Sequence, residues 1–387
     1  MQICNAKIFP MDGDIIENGY VTMENGRITA VGAMPPPRPE ADALDAQGGW
    51  LLPGFVDAHC HLGMWEDGLG FEGDDGNEDT DPSTPQLRAL DAINPLEDCF
   101  REACEAGVTT VVTGPGSANP IGGQLCAIKT YGRRIDDMVV KAPVAMKMAL
   151  GENPKTTYHG KNQAPVTRMA TAAIIREQLA QAVRYARDKQ RAAEDEEIDE
   201  PEYDSKCEAL LPVVRGELPV HFHAHRLDDI FTAQRLAKEF GLRYVIVHGT
   251  AAHRAADLLA ADDVPVLCGP LLCDRSKPEL KELTPANPAI LREAGVPIAI
   301  ITDHPVIPLP YLGLCAGLAV REGLPYLEAL RALTLYPAQI CGIADRVGSI
   351  TPGKDADLVL FREDPLSVMA KPALVITGGR LFSSTRR

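Results

Sequence analysis

At residues 53–62 the chain reads Pro53-Gly54-Phe55-Val56-Asp57-Ala58-His59-Cys60-His61-Leu62. The apolar residues of this stretch predict a buried β-strand that ends near the two histidines. Alternate side chains of a strand point to the same side, so His59 and His61 share one face and Cys60 points away from it. Two neutral imidazoles held together in this way are a natural pair of ligands for a divalent metal ion.

Three other predicted strands also end in, or are followed by, a residue that can bind a metal ion. A histidine ends each of the segments 219–223 and 244–248, and a carboxylate, Asp303, follows the apolar run 296–301. In a barrel of parallel strands, the catalytic residues gather at the C-terminal ends of the strands. The expected ligands of one metal site at that face are therefore His59, His61, His223, His248 and Asp303.

The order of apolar segments along the chain predicts the fold class. Short apolar runs alternate with helical periodicity, which indicates βαβ units and a parallel sheet. A barrel of this kind takes about 250 residues as one unit, and the chain has 387. We predict an α/β fold with a (β/α)8 TIM-like barrel over residues 53–345, in which residues 124–130 supply the last strand needed.

Both ends of the chain read as short strands joined by turns. Asn25-Gly26 is a strong hairpin signal. The strands predicted over residues 356–361 and 374–377 resemble those of the opening segment. We predict that the two ends pair into a small discontinuous β-sandwich domain, formed by residues 1–52 plus 346–387.

The charge of the chain disfavours two classes of partner. The formal net charge is −16, so the surface repels phosphate backbones and anionic lipid. We expect a small-molecule substrate and neither nucleic acid nor a membrane as partner, while homo-oligomer formation stays open. The 10 cysteines are scattered without a CxxC pair, and we find no secretory signal, so we expect a cytoplasmic protein.

Two segments resemble those of a known family. The stretch 53–62 is similar to the first-strand signature of the amidohydrolase superfamily, and residues 348–359 resemble its C-terminal hallmark. The resemblance is closest to the imidazolonepropionase-related branch, which includes prolidase-like peptidases. It implies a metal site of a first-strand His pair, a His on each of strands five and six, and an Asp on strand eight. Carried over residue by residue, these are His59, His61, His223, His248 and Asp303.

The resemblance leaves the bridging ligand open. Many members with two metals carry a carboxylated Lys on strand four, and Met146-Lys147-Met148 is similar to that segment. A Lys in a dry barrel mouth can lose its proton and react with carbon dioxide to give an anionic ligand. Glu152 is the alternative bridging ligand, and the third possibility is that neither residue bridges. The implied cofactor is one or two divalent metal ions, zinc first, with iron, manganese and cobalt also compatible with such ligands.

The resemblance implies hydrolysis of a C–N (amide) bond in a small molecule. Metal-activated hydroxide would be the nucleophile, and Asp303 the general base and then the general acid. His248 would either bind the second metal or donate to the substrate carbonyl. Arg168 and Lys277 follow strand ends and are basic candidates for binding a substrate carboxylate. The predicted substrate-binding residues are His225, Arg226, Arg275 and His304.

Several alternatives compete with this interpretation. Many deaminases of the superfamily carry a Glu three residues after the strand-five His, where this chain has Arg226. A catalytically inactive barrel that serves as a binding module would be expected to lose ligands, and this chain retains them. The segment 223–226 and Lys147 also look unlike imidazolonepropionase itself. The acidic loop 66–91 is either a lid over the site or a solvated loop.

Overall fold

The computed structural model describes residues 1–65 and 70–382, and its strands lie in two sheets. The loop predicted over 66–91 begins outside the described residues, and its action as a lid stays a prediction. The opening segment forms the strands β1 (Gln2–Ile8), β2 (Ile16–Glu24), β3 (Arg27–Ala33), β4 (Leu44–Asp45) and β5 (Trp50–Pro53).

The second sheet is a nearly closed barrel. Its neighbouring strands follow chain order from β6 to β13. They are β6 (Phe55–Cys60), β7 (Val108–Thr113), β8 (Ile121–Lys129), β9 (Val139–Ala149), β10 (Val220–Ala224), β11 (Tyr244–His248), β12 (Val266–Cys268) and β13 (Ile298–Ile300).

One strand departs from the predicted (β/α)8 pattern. The strand predicted at 124–130 is present as β8, but it runs antiparallel to both β7 and β9. A parallel crossover needs about a dozen residues or more, and residues 114–120 between β7 and β8 are too few for one. The other neighbouring pairs of the barrel are parallel, so their C-terminal ends still meet at one face.

The strands of the chain's far end complete the first sheet. They are β14 (Leu358–Phe361), β15 (Pro372–Thr377) and β16 (Arg380–Leu381). Strand β14 pairs antiparallel with β5, which itself pairs with β1, so both ends of the chain share one sheet as expected. The folding of this sheet into a two-layered sandwich, and the boundaries at residues 52 and 346, stay predictions.

Helices join most of the barrel strands. They are α1 (Asp98–Glu105), α2 (Glu152–Gly160), α3 (Arg168–Glu194), α4 (Ser205–Val214), α5 (Leu227–Phe240), α6 (Ala256–Ala261), α7 (Asn287–Glu293), α8 (Leu312–Arg321), α9 (Tyr326–Arg331) and α10 (Leu335–Ile340). Helix α5 ends at Gly241, whose left-handed φ of 65° suits a residue without Cβ. Among the described residues, no helix is long and apolar enough to cross a bilayer.

Alternate residues of β10 divide between two environments. Val220 and Phe222 pack in the large apolar cluster that the strands share with the helices. His221 and His223 therefore face the opposite side, toward the barrel axis, and both are at most 2% exposed. His221 pairs in register with Lys147 on β9 and lies two residues before His223, deeper than the strand end.

Polar contacts hold the seam between β6 and β13. Asp57 is fully buried, and its carboxylate accepts hydrogen bonds from the backbone N–H of His59 and from the backbone N–H and hydroxyl of Thr302. The backbone N–H of Asp303 donates to the carbonyl of His59 at 3.3 Å. The N–H of His61 donates to the carbonyl of His304 at 2.8 Å. The seam thus places the first-strand histidines beside Asp303.

Candidate metal centre and active-site cavity

The first donor group combines the two histidines that end β6 with a carboxylate from the other side of the seam. The Oδ1 atom of Asp303 lies 3.6 Å from Nε2 of His59 and 3.3 Å from Nε2 of His61. Donor atoms of a tetrahedral site with bonds of about 2.1 Å lie about 3.4 Å apart. Both distances therefore match the spacing of metal ligands, and the donor atoms of the three residues lie within 4.8 Å of one another. We call His59, His61 and Asp303 the first trio.

Hydrogen bonds orient two of the histidines for metal binding. The Nδ1 atom of His61 lies 2.7 Å from the carbonyl of Gly114, and Nδ1 of His248 lies 2.8 Å from the carbonyl of Gly269. A carbonyl only accepts, so each Nδ1 carries the proton and each Nε2 keeps its lone pair. Burial lowers the pKa of His248 to about 4, so this ring is neutral at physiological pH.

A second group of imidazoles lies beside the first. Ring nitrogens of His223, His225 and His248 lie within 4.8 Å of one another, and all three side chains are buried. The Nδ1 atoms of His223 and His225 are 2.9 Å from Ser117 Oγ and 2.7 Å from Thr250 Oγ1, respectively. Burial, with the neighbouring histidines, lowers the pKa of His223 and of His225 far below the usual value. His225, predicted to bind substrate, is thus part of a donor cluster.

Lys147 and Glu152 occupy different places. Lys147 is fully buried, and its Nζ lies 2.9 Å from Nε2 of His59. Burial lowers the pKa of this lysine to about 7, so a neutral amine is accessible. Glu152 is the first residue of α2, and its Oε2 accepts a hydrogen bond from the backbone N–H of Glu279 at 3.2 Å. Lys147 thus lies against the first group, whereas Glu152 lines the cavity beside Glu279. Which of the two is a metal ligand stays a prediction.

A cavity of about 890 Å³ opens above these residues at the C-terminal ends of the strands. His61, His223, His225 and Asp303 line it, so these four candidate ligands are open to a small molecule. The backbone φ angles of His248 and Asp303 are 74° and 57°. Left-handed conformations are costly for residues other than glycine and often mark functional sites. Further lining residues include Trp65, Asn77, Ser117, Glu152, Asn153 and Lys277.

The predicted basic substrate-binding residues turn away from this cavity. The guanidinium of Arg226 pairs with Asp228 and borders a different depression. Arg275 donates to the backbone carbonyls of residues 281 and 283, and Arg168 pairs with the buried Asp229. This arrangement gives no support to substrate binding by these arginines. The sequence predicts where the backbone of such an arginine lies, but not which partner its long side chain contacts.

Two other residues relate to the cavity in different ways. Lys277 is the only lysine or arginine that lines it among residues 1–65 and 70–382. His304 does not line it, and its contribution there is the backbone carbonyl that holds His61. A role of its side chain in substrate binding stays a prediction.

Glu279 is a candidate functional residue that the sequence did not reveal. It lies in a 3-10 helix, Pro278–Leu280, in the segment between β12 and α7, and is 2% exposed. Its Oε1 lies 3.7 Å from Nε2 of His223 and 3.6 Å from Nε2 of His225. No spacing rule connects a loop glutamate with histidines more than 50 residues earlier. The one available signal in the sequence was that Glu279 is an acidic residue two positions after Lys277. Acidic residues near lysines are too common for this spacing to identify a functional residue.

Comparison with known proteins identifies the family of the chain. The model of the amidohydrolase family matches residues 50–381. The chain is 33% identical over 93% of its length to the amidohydrolase tasK of Hapsidospora irregularis, of which it spans 39%. It is 27% identical to the imidazolonepropionase of Rhizobium meliloti, covering 90% of this chain and 86% of that protein. A solved amidohydrolase from Thermotoga maritima is 42% identical, with a TM-score of 0.95 and full coverage of both chains. The chain therefore belongs to the amidohydrolase family.

Proposed function

We propose that the chain is a metal-dependent hydrolase that cleaves the C–N bond of an amide in a small molecule. The observation that carries this proposal is the convergence of buried imidazoles and one carboxylate at the mouth of the barrel. The ligand-like spacing in the first trio, and the Nε2 lone pairs of His61 and His248, suit a divalent metal ion. Family membership supports a hydrolase acting on C–N bonds.

The donor set fits one metal ion in the first trio and a second beside it. His59, His61 and Asp303 would hold the first ion, and His223 and His248 would contribute to the second. A carbamate formed on Lys147, whose Nζ lies beside His59, would add an anionic oxygen ligand to this set. The residue types suit zinc first. When bound, such metal ions supply Lewis acidity, which polarises a carbonyl and makes water a nucleophile near neutral pH.

Asp303 is the residue best placed to move protons. Burial alone would raise its pKa, but the neighbouring side chains of His248, His61 and Lys147 hold that pKa well below its usual value. Its carboxylate is therefore ionised at neutral pH and can accept a proton from water, then return it to the leaving amine. It also lines the cavity, as a proton carrier must. His248 would orient the substrate carbonyl or serve as a ligand.

Deamination of a heterocycle or amidine is the alternative. Arg226 stands where many deaminases carry a Glu, and its side chain pairs with Asp228 outside the cavity. This placement supports amide hydrolysis over deamination. An inactive barrel is the remaining alternative, and the retained ligands speak against it.

The test is a hydrolysis screen with metal-loaded protein. Dipeptides, N-acyl amino acids, cyclic amides and nucleobases would be offered, and amine and ammonia release would be measured separately. Amine release that disappears after chelation and returns with zinc supports the proposal. Ammonia release from a heterocycle would establish the deaminase instead. If the loaded protein hydrolyses nothing in the panel, while binding ligands of the same classes, the inactive barrel is favoured.

A further inference from the structure

We propose that His225 and Glu279 act with His223 as ligands of the second metal ion. This inference rests on the proposed function and extends its ligand set, which so far holds only His223, His248 and the carbamate. It gives the second position a histidine pair two residues apart and a carboxylate, the composition that His59, His61 and Asp303 have at the first.

The distances carry the comparison. Glu279 Oε1 lies 3.7 Å and 3.6 Å from the Nε2 atoms of His223 and His225. In the first trio the equivalent distances are 3.6 Å and 3.3 Å. Both sets are near the donor spacing of about 3.4 Å in a tetrahedral site. The two distances from Glu279 exceed hydrogen-bond length, so His223 and His225 face this carboxylate without a hydrogen bond to it.

The hydrogen bonds around the rings leave the facing atoms available. Ser117 and Thr250 contact the Nδ1 atoms of His223 and His225, on the far side of each ring from Glu279. Nε2 of His223 is buried and has no hydrogen-bond partner among the described residues. A buried polar atom of this kind is costly unless something binds it. A cation held together with Glu279 would satisfy it.

Glu279 is itself held in place from two directions. Its Oε2 accepts a hydrogen bond of 2.9 Å from the backbone N–H of Glu152. Its Oε1 lies 2.6 Å from the ammonium of Lys277, which also donates to Asn153 at 2.8 Å. Oε1, the oxygen of Glu279 nearest the histidines, is therefore already paired with the ammonium of Lys277. A metal ion at that oxygen would compete with Lys277 and free its ammonium to extend into the cavity that it lines.

The proposal therefore predicts opposite effects for the two neighbours. Removing the carboxylate removes a ligand, whereas removing the ammonium removes a competitor. A purely structural Glu279–Lys277 pair would instead make both substitutions act in the same direction, since each breaks the same ion pair.

The test is titration of the metal-free full-length protein with Co²⁺, followed by its visible absorption and by elemental analysis. We expect the wild type to bind about two ions per chain. Glu279→Gln should weaken the second ion by more than about 10-fold, since even outer-shell changes cost about 10–100-fold, and leave the first ion's spectrum unchanged. Lys277→Met should not weaken the second ion. Glu282→Gln, whose carboxylate pairs with Arg254, is the matched control.

Two results would overturn the assignment. One is two-ion binding by Glu279→Gln with wild-type affinity, and the other is a loss in Lys277→Met as large as that in Glu279→Gln. His225→Gln serves as a second variant if Glu279→Gln fails to fold, and retention of both ions by it would have the same meaning. Failure of the proposed function is distinguishable, because it would be seen in the wild type as absent amide hydrolysis in the substrate screen, whatever Glu279→Gln binds.

Discussion

Asp303 is placed as a metal ligand, and it is also ionised as a general base must be. Its Oδ1 faces both first-strand histidines, and its pKa is held low by His248, His61 and Lys147 against the effect of burial. We expect Asp303→Asn to lower kcat by about 10²–10⁴-fold, the usual contribution of a general acid–base group, with a much smaller change in KM. Steady-state kinetics with metal content measured in parallel check this. A kcat within threefold of the wild type, with full metal occupancy, would be incompatible with the assigned role.

Lys147 gives a prediction about pH at the same scale. Burial lowers its pKa from 10.5 to about 7. Between these values the unfolded chain binds more protons than the folded chain, so the stability of the metal-free protein rises with pH. From pH 7 to pH 9 the gain attributable to Lys147 is about 2 kcal/mol. Urea unfolding of metal-free, bicarbonate-free protein should show this gain in the wild type and its loss in Lys147→Met. An equal gain in stability in the wild type and in Lys147→Met would contradict a buried, neutral Lys147 amine.

At the scale of elements, Asp57 joins β6 to the chain that follows β13. Its two oxygens accept from the backbone N–H groups of His59 and Thr302, each at 3.0 Å. An amide has one acceptor oxygen, so Asp57→Asn turns a donor toward one of these N–H groups. We expect a loss of about 1–3 kcal/mol in the free energy of unfolding and weaker binding of the first metal ion. Urea unfolding and metal titration measure both.

The matched control for this prediction is Asp14→Asn, because Asp14 is exposed and lies between β1 and β2 of the other sheet. It should leave stability and metal binding unchanged. If Asp57→Asn behaves like this control, the seam does not depend on the carboxylate, and another contact must position His59 and Asp303.

The elements also show what the sequence could and could not predict. Strand-end residues such as His59 and His223 were identifiable because a strand's side chains alternate and barrel chemistry lies at the C-terminal ends. The direction of β8 was not, because an apolar run marks a strand without telling which way it pairs. The approach of Glu279 to the histidines depends on the path of a loop, and loops carry no periodic pattern.

At the scale of the whole molecule, the candidate ligands come from distant parts of the barrel. They lie on or next to β6, β9, β10 and β11 and in the segment after β13, so a bound metal ion would link strands on both sides of the seam. A ligand that binds only the folded chain stabilises it by about 2.7 kcal/mol at 100 times its Kd. Chelation should therefore lower the Tm, and added zinc should restore it. An identical Tm before and after complete metal removal would contradict metal binding across the seam.

The most direct measurement of the central claim is elemental analysis of the full chain, purified without chelator in bicarbonate-containing buffer. We expect about two divalent metal ions per chain, bound in the two positions at the barrel mouth. Protein that holds no metal as purified, and takes up none when incubated with zinc and bicarbonate, would contradict it.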